Sequence, residues 1–318
     1  MLLQVLIFVA GLGVLSWGAD RFVYGASALA KNIGISPMMI GLTIVAMGSS
    51  APEIVVAAMA SVNGAPDTAV GNALGSNITN IGLVLAITAL VKPLVVSSTT
   101  LKREMPALIV ITLIAMAFLF NGRLAHVEGL ILFGMFIFVL AGMAWLSLHV
   151  EKSDPLMAET VDEIPSDVNT GNAVLWIGVG LILLPLSAHF IVDSAVYIAK
   201  YFGMSDLVIG LTIIALGTSL PELAASIAGV MKGEDDLALG NIIGSNIFNL
   251  LAVLSMPGLI APGLVDPEVY NRDMYVMFGL TALLFFFSFS IIGKKQIGRL
   301  EGGLLLVCFL GYQFWLFG

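Results

Sequence analysis

Long apolar stretches alternate with short polar ones along the whole chain. The apolar stretches lie near residues 2–30, 37–62, 69–91, 105–121, 126–149, 172–199, 205–231, 237–260, 273–292 and 300–317. Most of them have the roughly 20 residues that an α-helix needs to cross a bilayer, and they lack the short alternating pattern of a transmembrane β-barrel. The pattern predicts an all-α integral membrane protein with ten transmembrane helices.

Composition supports a membrane location. The 318 residues are 59% hydrophobic and only 11% charged, whereas soluble domains carry about 25% charged residues. We therefore expect the lipid bilayer to surround the chain, and we expect neither nucleic acid nor an obligate protein partner. The N-terminal stretch lacks the basic residues of a removable signal and is interpreted as the first span. The single cysteine, Cys308, excludes an intramolecular disulfide and a cysteine-based metal cluster.

The two halves of the chain match each other at a constant offset of 169 residues. KNIGISPMMIGLTIVAMGSSAPE at 31–53 aligns with KYFGMSDLVIGLTIIALGTSLPE at 200–222, and 13 of the 23 positions are identical. GNALGSNITN at 71–80 aligns with GNIIGSNIFN at 240–249, with seven of ten positions identical. Two ungapped polar motifs do not recur together by chance, so we interpret the sequence as duplicated.

Five predicted spans in each half turn the second copy upside down in the membrane. We therefore predict two inverted five-helix repeats, at 1–149 and 172–318, joined by an acidic linker at 150–171. Inverted repeats are typical of secondary transporters, which bind substrate near the midplane where the copies meet. Nine Lys and Arg residues fall in loops on one side and three on the other. The positive-inside rule then places both termini outside a cell (inner) membrane and the linker in the cytosol.

Each half carries one glutamate deep in an apolar segment, Glu53 in GSSAPE and Glu222 in GTSLPE. A charged acid at the centre of a transmembrane helix costs roughly 2.5–3.5 kcal/mol, so protonation or a bound cation is needed to tolerate two of them. Taken alone, S-x-x-E with a nearby proline indicates a helix capping box. A cap at this depth would itself require a broken transmembrane helix. The freed carbonyls near Ala46 and Ala215 could then bind a cation.

The side chains around the glutamates supply only oxygen as hard ligand atoms. The first motif adds the hydroxyls of Ser49, Ser50, Thr218 and Ser219, and the second adds Ser76, Ser245, Asn72, Asn77, Asn80, Asn241, Asn246 and Asn249. Such a set suits Ca²⁺ or Na⁺ better than zinc or copper. Two carboxylates can neutralise one Ca²⁺ or two Na⁺, so both ions could exchange at a shared site. No cofactor is expected, because the bound ions are themselves transported.

Pairs of glycines four residues apart accompany the second motif. Gly71 and Gly75, and likewise Gly240 and Gly244, have the spacing of small-xxx-small packing between transmembrane helices. We expect these glycines to bring neighbouring helices close enough for the adjacent Ser and Asn side chains to reach the glutamates.

The motif pair GSSAPE…GNALGSNITN and GTSLPE…GNIIGSNIFN resembles the alpha-1 and alpha-2 repeats of the calcium/cation antiporter superfamily. The resemblance covers essentially the whole chain and is strongest to prokaryotic sodium/calcium exchangers and their potassium-dependent relatives. It implies a compact core of spans two, three, seven and eight, across which the long first and sixth helices slide.

The resemblance also implies a ligand set. Glu53 and Glu222 would share Ca²⁺ and Na⁺, and Asn80 would lie in the central site. The remaining implied metal ligands are Ser49, Thr218, Ser50, Ser219, Ser76, Ser245 and the carbonyls of Ala46 and Ala215. Some relatives have an aspartate in place of Asn249, which is linked to K⁺ use; the asparagine here argues against K⁺ dependence.

These observations lead to a Na⁺/Ca²⁺ antiporter that works by alternating access, not an enzyme. A Ca²⁺/H⁺ antiporter is the alternative, because burial favours a neutral acid and protonation could release the ion. A cation channel with an acidic filter is a candidate from another class, which the inverted halves disfavour. The sequence carries no Ser/His or Asp-pair catalytic motif and no HExxH, so an intramembrane enzyme is the weakest candidate.

Overall fold

The computed structural model describes residues 1–35, 40, 43–44, 46–95, 99–146, 165, 168–288 and 296–317. Its main helices are α1 (Leu2–Asn32), α2 (Ala51–Val62), α3 (Pro66–Val91), α4 (Thr99–Leu119), α5 (His126–Leu146), α6 (Thr170–Phe202), α7 (Asp206–Lys232), α8 (Asp235–Ile260), α9 (Met274–Ser288) and α10 (Arg299–Phe317). Two-residue strands lie at Leu94–Val95 (β1), Arg123–Leu124 (β2), Gly263–Leu264 (β3) and Gln296–Ile297 (β4).

Seven of the described helices are long and apolar enough to cross a membrane, namely α1, α3, α5, α6, α7, α8 and α10. Helix α2 and the Glu104–Leu119 part of α4 are shorter apolar helices. An all-helical membrane architecture is therefore confirmed, whereas the count of ten spans stays a prediction. Most of the predicted acidic linker, residues 150–164 and 166–167, lies outside the described residues.

Strand pairing links the two halves at both ends of α4 and α9. Strand β1, which precedes α4, pairs antiparallel with β4, which follows α9. Strand β2, which follows α4, pairs with β3, which precedes α9. The start of α4 therefore lies beside the end of α9, and the end of α4 lies beside the start of α9. This arrangement agrees with the inverted orientation expected for these two helices.

Helices α3, α7 and α8 form the centre of the molecule. In their most apolar stretches, 78%, 61% and 78% of the residues are buried, against 28% for α1 and α6. An apolar helix surrounded by protein packs tightly, whereas one exposed along most of its length faces lipid. The buried core and the peripheral long helices match the arrangement that the family resemblance implies.

Helices α1 and α6 pack closely along each other. A Cβ atom on Gly25 would lie 2.6 Å from the carbonyl oxygen of Ala173, and one on Gly180 would lie 2.5 Å from the Cβ of Phe22. The rings of Trp17 and Trp176 meet edge to face with centroids 5.9 Å apart. Such backbone-close contacts, made possible by glycine, join α1 and α6 into one unit beside the core.

Candidate ion-binding site

The predicted helix breaks lie at the two S-x-x-E motifs. Helix α2 begins at Ala51 after Ser50, and the last part of α7 begins at Leu220 after Ser219. Neither serine side chain caps the helix that follows it, so the predicted capping boxes are wrong. Both serines have φ near −90° and ψ near 0° (−93° and 4°, −87° and 0°). A capping side chain instead needs the extended backbone typical of an N-cap residue.

The two glutamates meet in the core. Glu53 and Glu222 lie in the first turn of these restarted helices and are only 2% and 3% exposed. The Glu53 carboxyl group lies within hydrogen-bonding reach of Thr218, which belongs to the other half. Glu222 is close enough to Glu53 for their charges to interact. In each glutamate, Oε2 has no hydrogen-bond partner among the described residues.

Hydroxyl groups surround the carboxylates unequally. Ser50 and Ser219 are buried, and within the described chain neither hydroxyl has a hydrogen-bond partner. The Oγ atoms of Ser49 and Ser245, one from each half, lie 3.3 Å apart. Thr218, the equivalent of Ser49, donates instead to the carbonyl of Ile214 in its own helix at 3.2 Å. The hydroxyls of Ser50 and Ser219 are available to a cation, while Thr218 already has an acceptor.

The carbonyls of Ala46 and Ala215 differ. The Ser219 amide donates to the carbonyl of Ala215 at 3.1 Å, so this carbonyl is not freed and the prediction is wrong for it here. A carbonyl oxygen keeps a second lone pair, which can still bind a cation. In the first half the Ser50 amide donates to Met47 at 3.2 Å rather than to Ala46. The ordinary helical donor to the Ala46 carbonyl is thus directed elsewhere.

Asparagines from α3 and α8 interlock at the centre. Asn77 Nδ2 donates to the carbonyl of Asn246 at 3.3 Å, and Asn80 Nδ2 donates to Asn246 Oδ1 at 3.2 Å. The Oδ1 atoms of Asn77, Asn80 and Asn249 have no partner among the described residues. Stretches of π-helix start at the equivalent Asn80 and Asn249, a distortion frequent at functional sites.

The pairing of Asn77 with Asn246 is a structural role that sequence reasoning missed. The two residues are 169 apart, so each contacts its own equivalent in the other half. A residue can touch its equivalent only near the pseudo-twofold axis. The 169-residue offset identifies Asn77 and Asn246 as equivalent residues. Nothing in the sequence shows which pair of equivalent residues lies on the axis.

The remaining polar residues of the second motif hold the first glutamate in place. Asn72 Nδ2 donates to the main-chain carbonyl of Glu53 at 3.3 Å, and Ser76 Oγ donates to Asn72 Oδ1 at 3.5 Å. Asn72 thus reaches the backbone of Glu53, and Ser76 reaches Asn72. Asn72 thereby helps to position the helix that carries the acid.

Glycine packing is close at Gly71 and Gly75 and open at Gly244. A Cβ atom on Gly71 would lie 2.5 Å from the carbonyl oxygen of Leu207, and one on Gly75 would lie 2.6 Å from the Cα of Leu211. At Gly244, the equivalent of Gly75, no described atom lies within 4 Å of that position. The small-xxx-small prediction is confirmed for α3 against α7 and is wrong for Gly244 in this structure.

A cavity of about 460 Å³ reaches the site from one end of the molecule. It extends from Glu222 and Ser49 to Lys232 and Glu234 at the junction of α7 and α8. The other residues that line it include Asp20, Glu104, Ser226, Asn241 and Gly244. The Lys and Arg bias of the loops predicts that this end faces the cytosol.

The opposite end of the molecule has a smaller cavity, about 200 Å³, lined by Asn63, Asp193, Lys200 and others. Neither glutamate lines this second cavity. Within the described residues, Glu222 therefore borders the cavity at one end, and neither glutamate borders the cavity at the other end.

The charges available at the site set its chemistry. Among the described residues, no cluster brings three or more His, Cys, Asp or Glu together, so the site combines two carboxylates with neutral oxygens. Two buried carboxylates whose charges interact are unfavourable without a compensating positive charge or proton. The arrangement can bind a hard cation and can release it into the cavity that Glu222 borders.

Comparison with known proteins places the chain among ion exchangers. Residues 3–145 and 172–318 match the family described as "Sodium/calcium exchanger protein". The chain is 55% identical over 317 residues to the putative antiporter CaxA of Alkalimonas amylolytica, covering 100% of this chain and 99% of that protein. It is 42% identical to the inner membrane protein YrbG of Escherichia coli, covering 99% and 98%.

A solved structure is similar over nearly the full length. The sodium-calcium exchanger NCX_Mj, soaked with 100 mM Na⁺ and 10 mM Sr²⁺, superposes with a TM-score of 0.63 at 31% identity, covering 97% of both chains. The fold and the sequence therefore lead to the same group of proteins.

Proposed function

This chain belongs to the sodium/calcium exchanger protein family and is a membrane-embedded calcium/cation antiporter, and we propose that Na⁺ is the ion it exchanges for Ca²⁺. Exchange occurs by alternating access at one site shared by the two ions. The membrane is the cell (inner) membrane, with both termini outside and the central linker in the cytosol.

The observation that carries the proposal is the meeting of Glu53 and Glu222 in the core. Their carboxylates come from equivalent positions of the two halves, are almost fully buried and interact with each other. A site with two negative charges binds one Ca²⁺ or two Na⁺ with little net charge left in a low-dielectric interior. Either occupied form is therefore tolerated, and the two ions exclude each other.

The proposed ligands divide into a shared pair and its neighbours. Glu53 and Glu222 bind both ions, and Asn80 and Asn249, whose Oδ1 atoms have no partner among the described residues, add oxygens to the central position. The Na⁺ ligands are the hydroxyls of Ser50, Ser219, Ser76 and Ser245 and the carbonyls of Ala46 and Ala215. Ser49 and Thr218 add oxygens to the glutamate pair.

Coupling follows from the same charges. If the carrier changed its accessible side while empty, it would carry two uncompensated carboxylates through the closed core, which is strongly unfavourable. The empty form therefore stays open to one side until cations bind. The cost of burying two uncompensated carboxylates is enough to make exchange obligatory, and a third acidic residue is not needed.

The test is radioactive Ca²⁺ uptake by proteoliposomes that contain the purified protein, with an outward Na⁺ gradient. We expect uptake that stops when the Na⁺ gradient is collapsed and that does not require K⁺. Glu53→Gln and Glu222→Gln serve as inactive controls. Absence of Na⁺-driven uptake in both gradient directions would reject the proposal.

Ca²⁺/H⁺ exchange is the second candidate, favoured by the partnerless Oε2 atoms of the buried glutamates. A neutral glutamic acid is well tolerated where no cation is bound. A pH gradient replaces the Na⁺ gradient in the same vesicles. Uptake driven by the pH gradient alone, with no response to Na⁺, would assign H⁺ as the coupling ion.

A further inference from the structure

Ser226 is a buried polar residue that the ligand set above leaves unexplained. It lies one helical turn after Glu222 on α7 and borders the large cavity. Residues four apart on a helix share one face, so its hydroxyl and the Glu222 carboxylate point to the same side. Ser226 is 1% exposed, and its Oγ has no hydrogen-bond partner in the described part of the chain.

Ser226 differs in its hydrogen bonding from several buried helical hydroxyls. Ser61, Thr88, Thr112 and Ser288 donate to the carbonyl four residues earlier at 2.7–2.8 Å, whereas Ser226, like Ser27 and Thr79, has no partner among the described residues. Ser226 does not make the equivalent bond to Glu222. A buried hydroxyl that leaves its ordinary acceptor is satisfied in native proteins by water or an ion.

The other half of the molecule lacks this hydroxyl. The position equivalent to Ser226 is Ala57, which is fully buried in the hydrophobic core. Asn72 is engaged with the backbone of Glu53, whereas its equivalent Asn241 borders the cavity. Glu222, Ser226 and Asn241 thus form an oxygen-rich wall on one access path, and the other half has no matching hydroxyl.

We propose that Ser226, Glu222 and Asn241 form an access subsite that binds a partly hydrated Na⁺ or Ca²⁺ before the ion reaches the Glu53–Glu222 pair. The carboxylate supplies charge, and the hydroxyl and amide oxygens replace part of the hydration shell. The cavity has room for the remaining waters. The subsite rests on the proposed exchange function and deepens it, because it makes ion binding at the two membrane faces unequal.

The test measures half-saturating Na⁺ and Ca²⁺ concentrations separately at each membrane face, in right-side-out and inverted vesicles. For Ser226→Ala we expect the half-saturating concentration at the cavity-facing side to rise about fivefold. Loss of one oxygen ligand is taken to weaken ion binding by about as much as loss of one hydrogen bond. The value at the other face should stay unchanged. A rise for either ion supports the subsite and identifies the ion that uses it.

Matched variants separate ion binding from packing. Ser226→Thr keeps the hydroxyl and should retain the wild-type values, while Ser288→Ala removes a hydroxyl that is already bonded to Leu284 and should change neither face. Unchanged values for Ser226→Ala, or an equal rise at both faces, would overturn the subsite. If the wild-type protein shows no exchange at all, the proposed function fails instead.

Discussion

The two halves of this protein share their motifs but not their surroundings. In the first half, Gly75 packs against the backbone of α7, and the Ser50 amide bonds to Met47. In the second half, Gly244 faces open space, and the Ser219 amide bonds to Ala215. Equivalent motif residues thus pack unequally, and Gly244 lies on the side of the cavity that Glu222 borders.

An inverted repeat makes this asymmetry informative. When the transporter opens to the opposite side, each half can adopt the packing that the other half has now. The present structure therefore predicts contacts of the alternative state from the 169-residue offset. The following predictions test that exchange of roles, beginning with the residues that should be equally important in both halves.

Replacement of either glutamate should have the largest effect. We expect Glu53→Gln and Glu222→Gln each to reduce exchange at least about 100-fold, because each removes half of the charge that binds the cation. Glutamine can still serve in a capping box, so a structural cap does not explain such a loss. Transport by both variants is measured as Na⁺-driven Ca²⁺ uptake. Wild-type exchange by either variant would show that the halves do not contribute equally.

Alanine variants of the equivalent glycines Gly75 and Gly244 should distinguish an effect on stability from an effect on transport. Gly75→Ala inserts a methyl group 2.6 Å from the Cα of Leu211, which should lower the free energy of unfolding by about 1–3 kcal/mol. Gly244→Ala meets open space here and should unfold at the wild-type temperature. Both are measured by thermal unfolding of the detergent-solubilised protein.

Transport by Gly244→Ala should fall despite its normal stability. In the alternative state Gly244 must pack as closely as Gly75 does now, so the added methyl group disfavours that state. We expect a loss of roughly tenfold in exchange rate from the same 1–3 kcal/mol of overpacking. Full exchange by this variant would contradict the predicted swap of packing.

A smaller effect is expected at the polar ends of the access path. At the closed end, Asn63 Nδ2 contacts His189 Nδ1 at 3.2 Å, and His189 pairs with Asp193. Their equivalents at the open end are Lys232 for Asn63 and Asp20 for His189, and both line the cavity. The offset predicts that Asp20 and Lys232 come together when this end closes.

Charge reversal tests this contact. Asp20→Lys or Lys232→Asp alone should slow exchange about two- to fivefold, the range expected of an exposed ion pair, and the double reversal should recover part of the rate. Initial exchange rates of the four proteins form a double-mutant cycle. Additive effects with no recovery would place the two side chains apart in every state.

Exchange of the unequal hydroxyls should have the smallest effect. Ser49→Thr and Thr218→Ser each keep an oxygen, and Thr218 already donates within its own helix. We expect changes in half-saturating Ca²⁺ below about twofold, since no hydrogen-bonding group is lost. A larger shift for Thr218→Ser would assign its methyl group a packing role at the glutamate pair.

Much of the architecture could be read from the sequence because it depends on periodic or repeated features. Long apolar runs predict transmembrane helices from hydrocarbon thickness alone, and the 169-residue offset pairs Glu53 with Glu222. The capping boxes failed because the S-x-x-E pattern specifies side chains but not the backbone angles of Ser50 and Ser219. The free hydroxyl of Ser226 was missed because a lone serine in an apolar helix gives no signal about its neighbours.

The sequence by itself determined the membrane class, the duplication and the chemical set of oxygens around two acids. Only the tertiary structure decided that Asn77 meets Asn246 on the axis, that Gly75 is packed while Gly244 is not, and that the cavity reaches Glu222. The motif glycines and glutamates are the same in both halves, so these residues alone do not show how the halves differ. The difference becomes visible only in the packing of each copy against its neighbours, which depends on the whole chain.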